Sequence, residues 1–200
     1  MNYPSKKSKD VEVMEKILIT GASSGIGREL VRNLAGRSRK MYLLARSIDK
    51  LNLLKKELEE KNSLLECICI KYDLNDTAHL ESITENCDVD LVINCAGIGK
   101  ITDFLKLSDE EDLNTINVNF ISPLILTKKF SEKFLQAGKG IILNVCSTAA
   151  LYQHPYMAIY SSTKSALLHY SLALDEELHN KNKNVRVLSV CPGPTASNFF

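Results

Sequence analysis

Apolar residues are distributed along this chain in two alternating rhythms. Short, nearly unbroken apolar runs occur at Lys16-Ile17-Leu18-Ile19-Thr20, Lys40-Met41-Tyr42-Leu43-Leu44-Ala45, Leu64 to Lys71, Asp90-Leu91-Val92-Ile93-Asn94, Gly140 to Cys146 and Val185 to Val190. Runs of this length without a polar face read as strands of a parallel sheet covered on both sides. Between them, apolar residues recur at helical spacing: Arg28 to Ala35, Asp49 to Lys61 with Leu51, Leu54 and Leu58 on one face, the polar stretch Asp76 to Asn86, a long segment from Ser108, and Tyr160 to about His179. Strand and helix in alternation predict right-handed crossovers and an α/β fold: a Rossmann-like, doubly wound parallel sheet in three layers (α/β/α) with six strands. In that topology the first and fourth strands are neighbours and the strand order reverses between them. Their trailing loops then form the two lips of one crevice.

The local chemistry clusters at those strand ends. After the first strand comes Gly21-Ala22-Ser23-Ser24-Gly25-Ile26-Gly27, and then a helix. Glycines at Gly21, Gly25 and Gly27 suit a tight turn, close approach to a phosphate, and packing of helix on strand. Free N–H groups at the helix start face an anion. After the second strand, where dinucleotide folds carry an acid for the ribose 2′-hydroxyl, this chain has Ala45 followed by Arg46 and Ser47. A cation at that place suits a 2′-phosphate, which favours NADP(H) over NAD.

Ser108 is placed to cap a helix, with Glu110 and Glu111 in its first turn. Asn119 falls inside an apolar stretch of that segment, where a buried amide needs partners. Pro123, further along, predicts a local irregularity. Ser147 stands at the carboxyl end of the fifth strand. Tyr160 and Lys164 are four residues apart and share one helix face. An ammonium beside a phenol favours the ionised form, so the pair predicts a Tyr160 with a lowered pKa that exchanges a proton with a substrate.

Composition narrows the field. A chain of 200 residues accommodates one well-buried domain. A net charge of +1 implies no polybasic surface for nucleic acid. No apolar run approaches a membrane span, and the basic start, Met1 to Asp10, lacks the apolar core of a secretory signal. Residues 1–13 read as a disordered tail and 14–200 as the domain, in a cytoplasmic protein. The six cysteines, Cys67, Cys69, Cys87, Cys95, Cys146 and Cys191, read as reduced thiols in or beside apolar strands, with no metal site.

Taken together, Thr20 to Gly27, Asp73-Leu74, Asn94 to Gly97, Ser147 with Tyr160 and Lys164, and Pro192-Gly193 occur in an order that resembles the short-chain dehydrogenase/reductase family, the subgroup with a Thr-Gly-x-x-x-Gly-x-Gly turn. The match runs from about Met14 to Phe200. The resemblance implies Tyr160 as general acid/base and Lys164 as the residue that lowers its pKa and binds the nicotinamide ribose. It implies Ser147 on the substrate oxygen, and Asn119 holding a water in a proton relay. Cofactor contacts are implied at Gly21, Ser23, Ser24, Gly25, Ile26, Gly27, Arg46, Ser47, Asp73, Leu74, Asn94, Ala96, Gly97, Tyr160, Lys164, Pro192, Gly193 and Thr195.

The chain departs from the family's pattern in places. Cys95 replaces the second Asn of Asn-Asn-Ala-Gly, and Ser197 stands where a Thr is usual. The family's seventh strand and substrate lid are expected beyond Phe200, so the domain reads as C-terminally incomplete, either a fragment or a natural truncation. The expected function is NADP(H)-dependent oxidation or reduction of a small carbonyl or alcohol substrate. A non-catalytic dinucleotide-binding or scaffold protein is the alternative. A methyltransferase of similar topology would not need the Tyr/Lys pair. The apolar content of Phe120 to Phe134 and Ala166 to Leu178 is compatible with a homodimer or homotetramer through two long helices, and equally with packing on the sheet.

Overall fold

A computed structural model of the chain describes residues 15–195. Six parallel strands, β1 (Lys16–Thr20), β2 (Lys40–Ala45), β3 (Glu66–Lys71), β4 (Leu91–Asn94), β5 (Gly140–Val145) and β6 (Val185–Val190), form one sheet in the order β3-β2-β1-β4-β5-β6. The helices are α1 (Gly25–Leu34), α2 (Ile48–Lys61), α3 (Leu80–Asn86), α4 (Asp109–Ile116), α5 (Ser122–Ala137) and α6 (Ala158–Lys181). The order reverses between β1 and β4, as the alternation of elements predicts. The expected tail at 1–13 and Ser197 lie outside the described residues.

Side-chain alternation along the strands divides the core in two. Leu18, Val92, Ile142 and Val187 pack with Leu126, Phe130 and Phe134 of α5 and Leu178 of α6. Ile17, Ile19, Met41, Leu43 and Ile93 pack on the other face with Val31 of α1 and Leu51, Leu54 and Leu58 of α2. Full burial of each Leu, Ile or Phe contributes about 1.5–3 kcal/mol. β6 is an edge strand, with Leu188 and Val190 exposed. Asp175 of α6 accepts from Arg186 at 2.8 and 2.7 Å and from the Val187 N–H at 2.8 Å, tying the long helix to that edge. Among the described residues no helix is long and apolar enough to cross a membrane.

Two elements differ from the pattern-based expectation. α3 begins at Leu80 rather than Asp76. The carboxylates of Asp73 and Asp76 accept from the backbone N–H groups of Asn75 and Ala78 at 3.0 and 3.2 Å, and such turns compete with helix. The segment from Ser108 is not one continuous α-helix. It starts with a full capping box between Ser108 and Glu111, then widens to a π-helical turn over Asn117–Ile121 before α5. Pro123 sits in the first turn of α5, where a missing N–H costs little, so the predicted irregularity falls just ahead of it.

Candidate active site

The crevice is built by contact between the ends of β1 and β4. The Thr20 hydroxyl accepts from the N–H groups of Cys95 and Ala96, each at 3.1 Å. Gly21 turns away with φ +70°, and a Cβ there would lie 2.8 Å from the Ala96 Cα. At Gly27 a Cβ would lie 2.3 Å from the Gly21 carbonyl oxygen. Both positions therefore require glycine, one for conformation and both for space. Ser24 precedes α1 without making a side-chain cap, which suits the helix start to an anionic ligand. Ser23, Gly25 and Ile26 are half-buried in the same turn, and the Ala22 N–H donates to the Leu44 carbonyl of β2 at 3.2 Å.

The remaining positions expected to meet a cofactor lie at the same edge of the sheet. Arg46 is exposed just past β2, and Ser47 precedes α2. Asp73 is exposed and Leu74 buried past β3; Ala96 and Gly97 are half-buried past β4. Pro192 is half-buried past β6, while Gly193 and Thr195 are exposed, with the Thr195 hydroxyl donating to the Gly193 carbonyl at 3.0 Å.

Tyr160 and Lys164 fall in the first turns of α6, both buried. Lys164 Nζ donates to the Val145 carbonyl at 2.9 Å and lies 5.9 Å from the centre of the Tyr160 ring. The Ser147 hydroxyl, which also accepts from the Ala149 N–H at 3.1 Å, hydrogen-bonds the Tyr160 phenol. One expectation fails here: Lys164 does not make this phenol acidic. Burial pushes the Tyr160 pKa up, and the opposing pull comes from Ser147. Burial likewise pushes Lys164 down toward its neutral form. The pair shares a helix face, but both groups are removed from water, and desolvation is the largest influence on each.

Asn119 is fully buried within the π turn. Its Oδ1 accepts from the Ile98 N–H at 2.8 Å, and its Nδ2 donates to the Ile98 carbonyl at 2.8 Å and to Thr163 Oγ1 at 3.2 Å. Thr163 in turn donates to the Tyr160 carbonyl at 2.7 Å. The amide thus braces the loop after β4 against the helix that carries Tyr160.

Three residues outside the expected set hold Asn94. Its Nδ2 donates to Asn144 Oδ1 at 2.8 Å and to Thr127 Oγ1 at 3.2 Å, and Asn144 Nδ2 donates to Ser171 at 2.8 Å. Asn94 Oδ1 is buried without a partner in the protein. A polar residue interrupting the run Ile141-Ile142-Leu143-Asn144-Val145 was the signal available in the sequence.

A cavity of about 570 Å³ opens beside Tyr160, lined by Arg46, Ile98, Lys100, Phe104 and Tyr156 among others. Tyr156 has φ 67°, and its carbonyl accepts from the Thr102 N–H at 3.0 Å, joining two loops at the mouth. A shallower hollow over α2, between the charged side chains of Lys55, Lys56, Glu59 and Glu60, lies away from the strand ends. The cysteines are free thiols, and burial pushes Cys67 up to about 12. Among the described residues no cluster of His, Cys, Asp or Glu is arranged to hold a metal ion.

A family model described as short chain dehydrogenase matches residues 15–200. The NADP-dependent 3-hydroxy acid dehydrogenase of Schizosaccharomyces pombe is 32% identical over 190 residues, covering 92% of this chain and 72% of that protein. The very-long-chain 3-oxoacyl-CoA reductase of Neurospora crassa is 32% identical over 178 residues; the match covers 86% of this chain but only 54% of the relative. Among solved structures, a short-chain dehydrogenase from Sphingobium yanoikuyae in complex with NADPH superposes with a TM-score of 0.87 at 28% identity, covering 93% of this chain and 73% of that one.

Proposed function

The chain belongs to the short-chain dehydrogenase/reductase family, and from that premise we propose that it transfers a hydride between NADP(H) and a carbonyl or alcohol substrate. The coarser statement, a dinucleotide-dependent oxidoreductase, follows from family membership and from relatives of that activity. The observation that carries the finer one is the buried Tyr160 phenol in hydrogen-bond contact with Ser147, one helical turn from a buried Lys164. A non-catalytic scaffold would have no need to keep these groups out of water.

The strand-end residues fit a dinucleotide. The glycine turn from Gly21 to Gly27, with Ser23, Ser24 and Ile26, would hold the pyrophosphate at the start of α1. Arg46 and Ser47 would take the 2′-phosphate. Asp73 and Leu74 would border the adenosine half, Asn94, Ala96 and Gly97 the middle, and Pro192, Gly193 and Thr195 the nicotinamide half. The partnerless Oδ1 of Asn94 is an acceptor in want of a donor, as a cofactor hydroxyl or a water would supply. NADP(H) is favoured by the exposed Arg46 and by the absence of an acid beside it. The NADP-dependent relative and the NADPH complex support this choice, while a 4-hydroxyisoleucine dehydrogenase of similar structure, 27% identical, is complexed with NADH.

The bound nicotinamide supplies or accepts the hydride. The residues of this chain manage the proton. Burial keeps Tyr160 protonated at neutral pH, which suits it to give its proton to a carbonyl oxygen during reduction. Ser147 has one hydroxyl proton, whose hydrogen bond on substrate binding would pass from the phenol to the same oxygen and stabilise charge developing there. Lys164, anchored on Val145, stands ready to stabilise the phenolate left behind. Asn119 fixes the loop at Ile98 against α6 and so holds the helix start in place. Assembly into a homodimer or homotetramer is part of the same proposal, supported by the exposure of Leu113 on α4 and Leu172 on α6.

Single-turnover oxidation of NADPH with a panel of ketones and aldehydes tests the reading. Consumption of NADPH with formation of the alcohol is expected. Tight NADPH binding with no oxidation across the panel, in a chain extended at its C-terminus to the length of its relatives, would leave only the scaffold reading.

A further inference from the structure

Cys146 and Cys191 stand side by side beneath the catalytic helix. β5 and β6 run in register with Val145 opposite Val190, and the ladder continues one step further, the Cys146 N–H donating to the Val190 carbonyl at 2.8 Å. The next pair across the two strands is therefore Cys146 and Cys191. Neighbouring strands lie about 4.8 Å apart, within the Cα separation of roughly 4.4–6.8 Å that a disulfide spans.

Both thiols face the same way. Ile142 and Asn144, which alternate with Cys146 on β5, point toward the α5–α6 side, as do Val185 and Val187, which alternate with Cys191 on β6. The two side chains are neighbours: the Cys191 thiol pushes the Cys146 thiol up beyond the effect of burial alone. Cys146 is 3% exposed, whereas Cys191 is half-buried, so Cys191 is the more accessible of the two residues.

We propose that Cys146 and Cys191 form a reversible disulfide that switches the site off when a hydroperoxide is present. The Cys191 sulfur attacks the peroxide oxygen. The O–O bond breaks, an alcohol or water leaves, and Cys191 becomes a sulfenic acid. The Cys146 sulfur then attacks the Cys191 sulfur; the S–S bond forms, the S–O bond breaks and water leaves. The two thiols lose two electrons and two protons, and the hydroperoxide is reduced.

Position gives the bond its effect. Cys146 lies between Val145, whose carbonyl holds Lys164, and Ser147. Cys191 precedes Pro192, whose carbonyl accepts from the Thr148 N–H at 3.0 Å. Joining the two sulfurs turns both side chains and clamps together the two strand ends that set Lys164 and Ser147. The loss of turnover rests on the proposed function; the cross-link does not.

Hydrogen peroxide treatment of the full chain, followed by mass spectrometry, tests both parts. A chain lighter by two hydrogens and a peptide joining Cys146 to Cys191 are expected. NADPH turnover falls by about tenfold or more, as when reacting groups shift by a fraction of an ångström, and dithiothreitol restores it. Cys191→Ser retains basal turnover and resists peroxide. Trapping of a Cys191 sulfenic acid by dimedone with no joined peptide, or a bridge confined to Cys67 and Cys69, overturns the disulfide. A joined peptide with unchanged turnover overturns the switch.

Discussion

Lys164 Nζ donates to the Val145 carbonyl at 2.9 Å, which ties the ammonium nearest Tyr160 to the end of β5. This fixes α6 on the strand end and leaves Tyr160 to be governed by burial and Ser147. A phenol held in its protonated form suits reduction, and the opposite reaction must first remove that proton.

That asymmetry gives a pH prediction for activity. Reduction is expected to hold steady through neutral pH, while oxidation of the alcohol rises as alkaline pH draws the proton from Tyr160, whose pKa burial raises above 10.0. Parallel pH profiles of the two directions check this. Coincident profiles would remove Tyr160 from control of the proton.

Tyr160→Phe keeps the ring and deletes the proton. Turnover is expected to fall by about 10²–10⁴-fold, the usual contribution of a general acid, with NADPH affinity nearly unchanged. Titration of bound NADPH fluorescence beside single-turnover rates separates the two quantities. A variant that still turns over at close to the native rate contradicts the assignment.

Lys164 makes stability depend on pH. Burial depresses its folded pKa below the unfolded value of 10.5, so between those values the unfolded chain binds more protons. Stability from this residue therefore rises with pH through that window. Tyr160 has the opposite sign, losing stability above 10.0, so measurements belong below that. Lys164→Met is expected to flatten the rise in thermal midpoint as pH climbs toward 10.0. An equal slope in both proteins would show that the ammonium is not desolvated.

Arg46→Asp places an acid where the 2′-phosphate is expected. The KM for NADPH should rise by about 10–100-fold, in line with the loss of a charge-assisted contact of roughly 1.5–3 kcal/mol, while NADH improves. Steady-state kinetics with both cofactors decides it, and an unchanged preference would put the phosphate elsewhere.

Gly21→Ala asks for a Cβ 2.8 Å from the Ala96 Cα at a φ of +70°. Backbone has to move at the junction of β1 and β4, with an expected cost of about 1–3 kcal/mol and weakened dinucleotide binding. A denaturant midpoint equal to that of the native chain would mean the turn adjusts freely.

Much of the frame can be read from the residues alone. β1 and β2 begin and end where their apolar runs do, because a strand covered on both faces has no polar positions to blur its limits; the edge strand β6 also matches its run. α3 is less legible, since Asp73 and Asp76 divert backbone N–H groups that a helix would use. At the site, Tyr160, Lys164, Ser147 and the glycine turn are marked by residue type and spacing. The direction of the Tyr160 pKa is not, because burial is created by elements far away in the chain. Nor is the polar relay beneath Asn94, whose Asn144 and Ser171 partners lie 27 residues apart.

The Thr20 hydroxyl that accepts from both Cys95 and Ala96 has a kinetic corollary. With the two rims clasped by one side chain, the gap between them has its width before any nucleotide arrives. Association then needs little rearrangement of this part of the scaffold, and adaptation to differently shaped substrates falls to the loops around Thr102 and Tyr156.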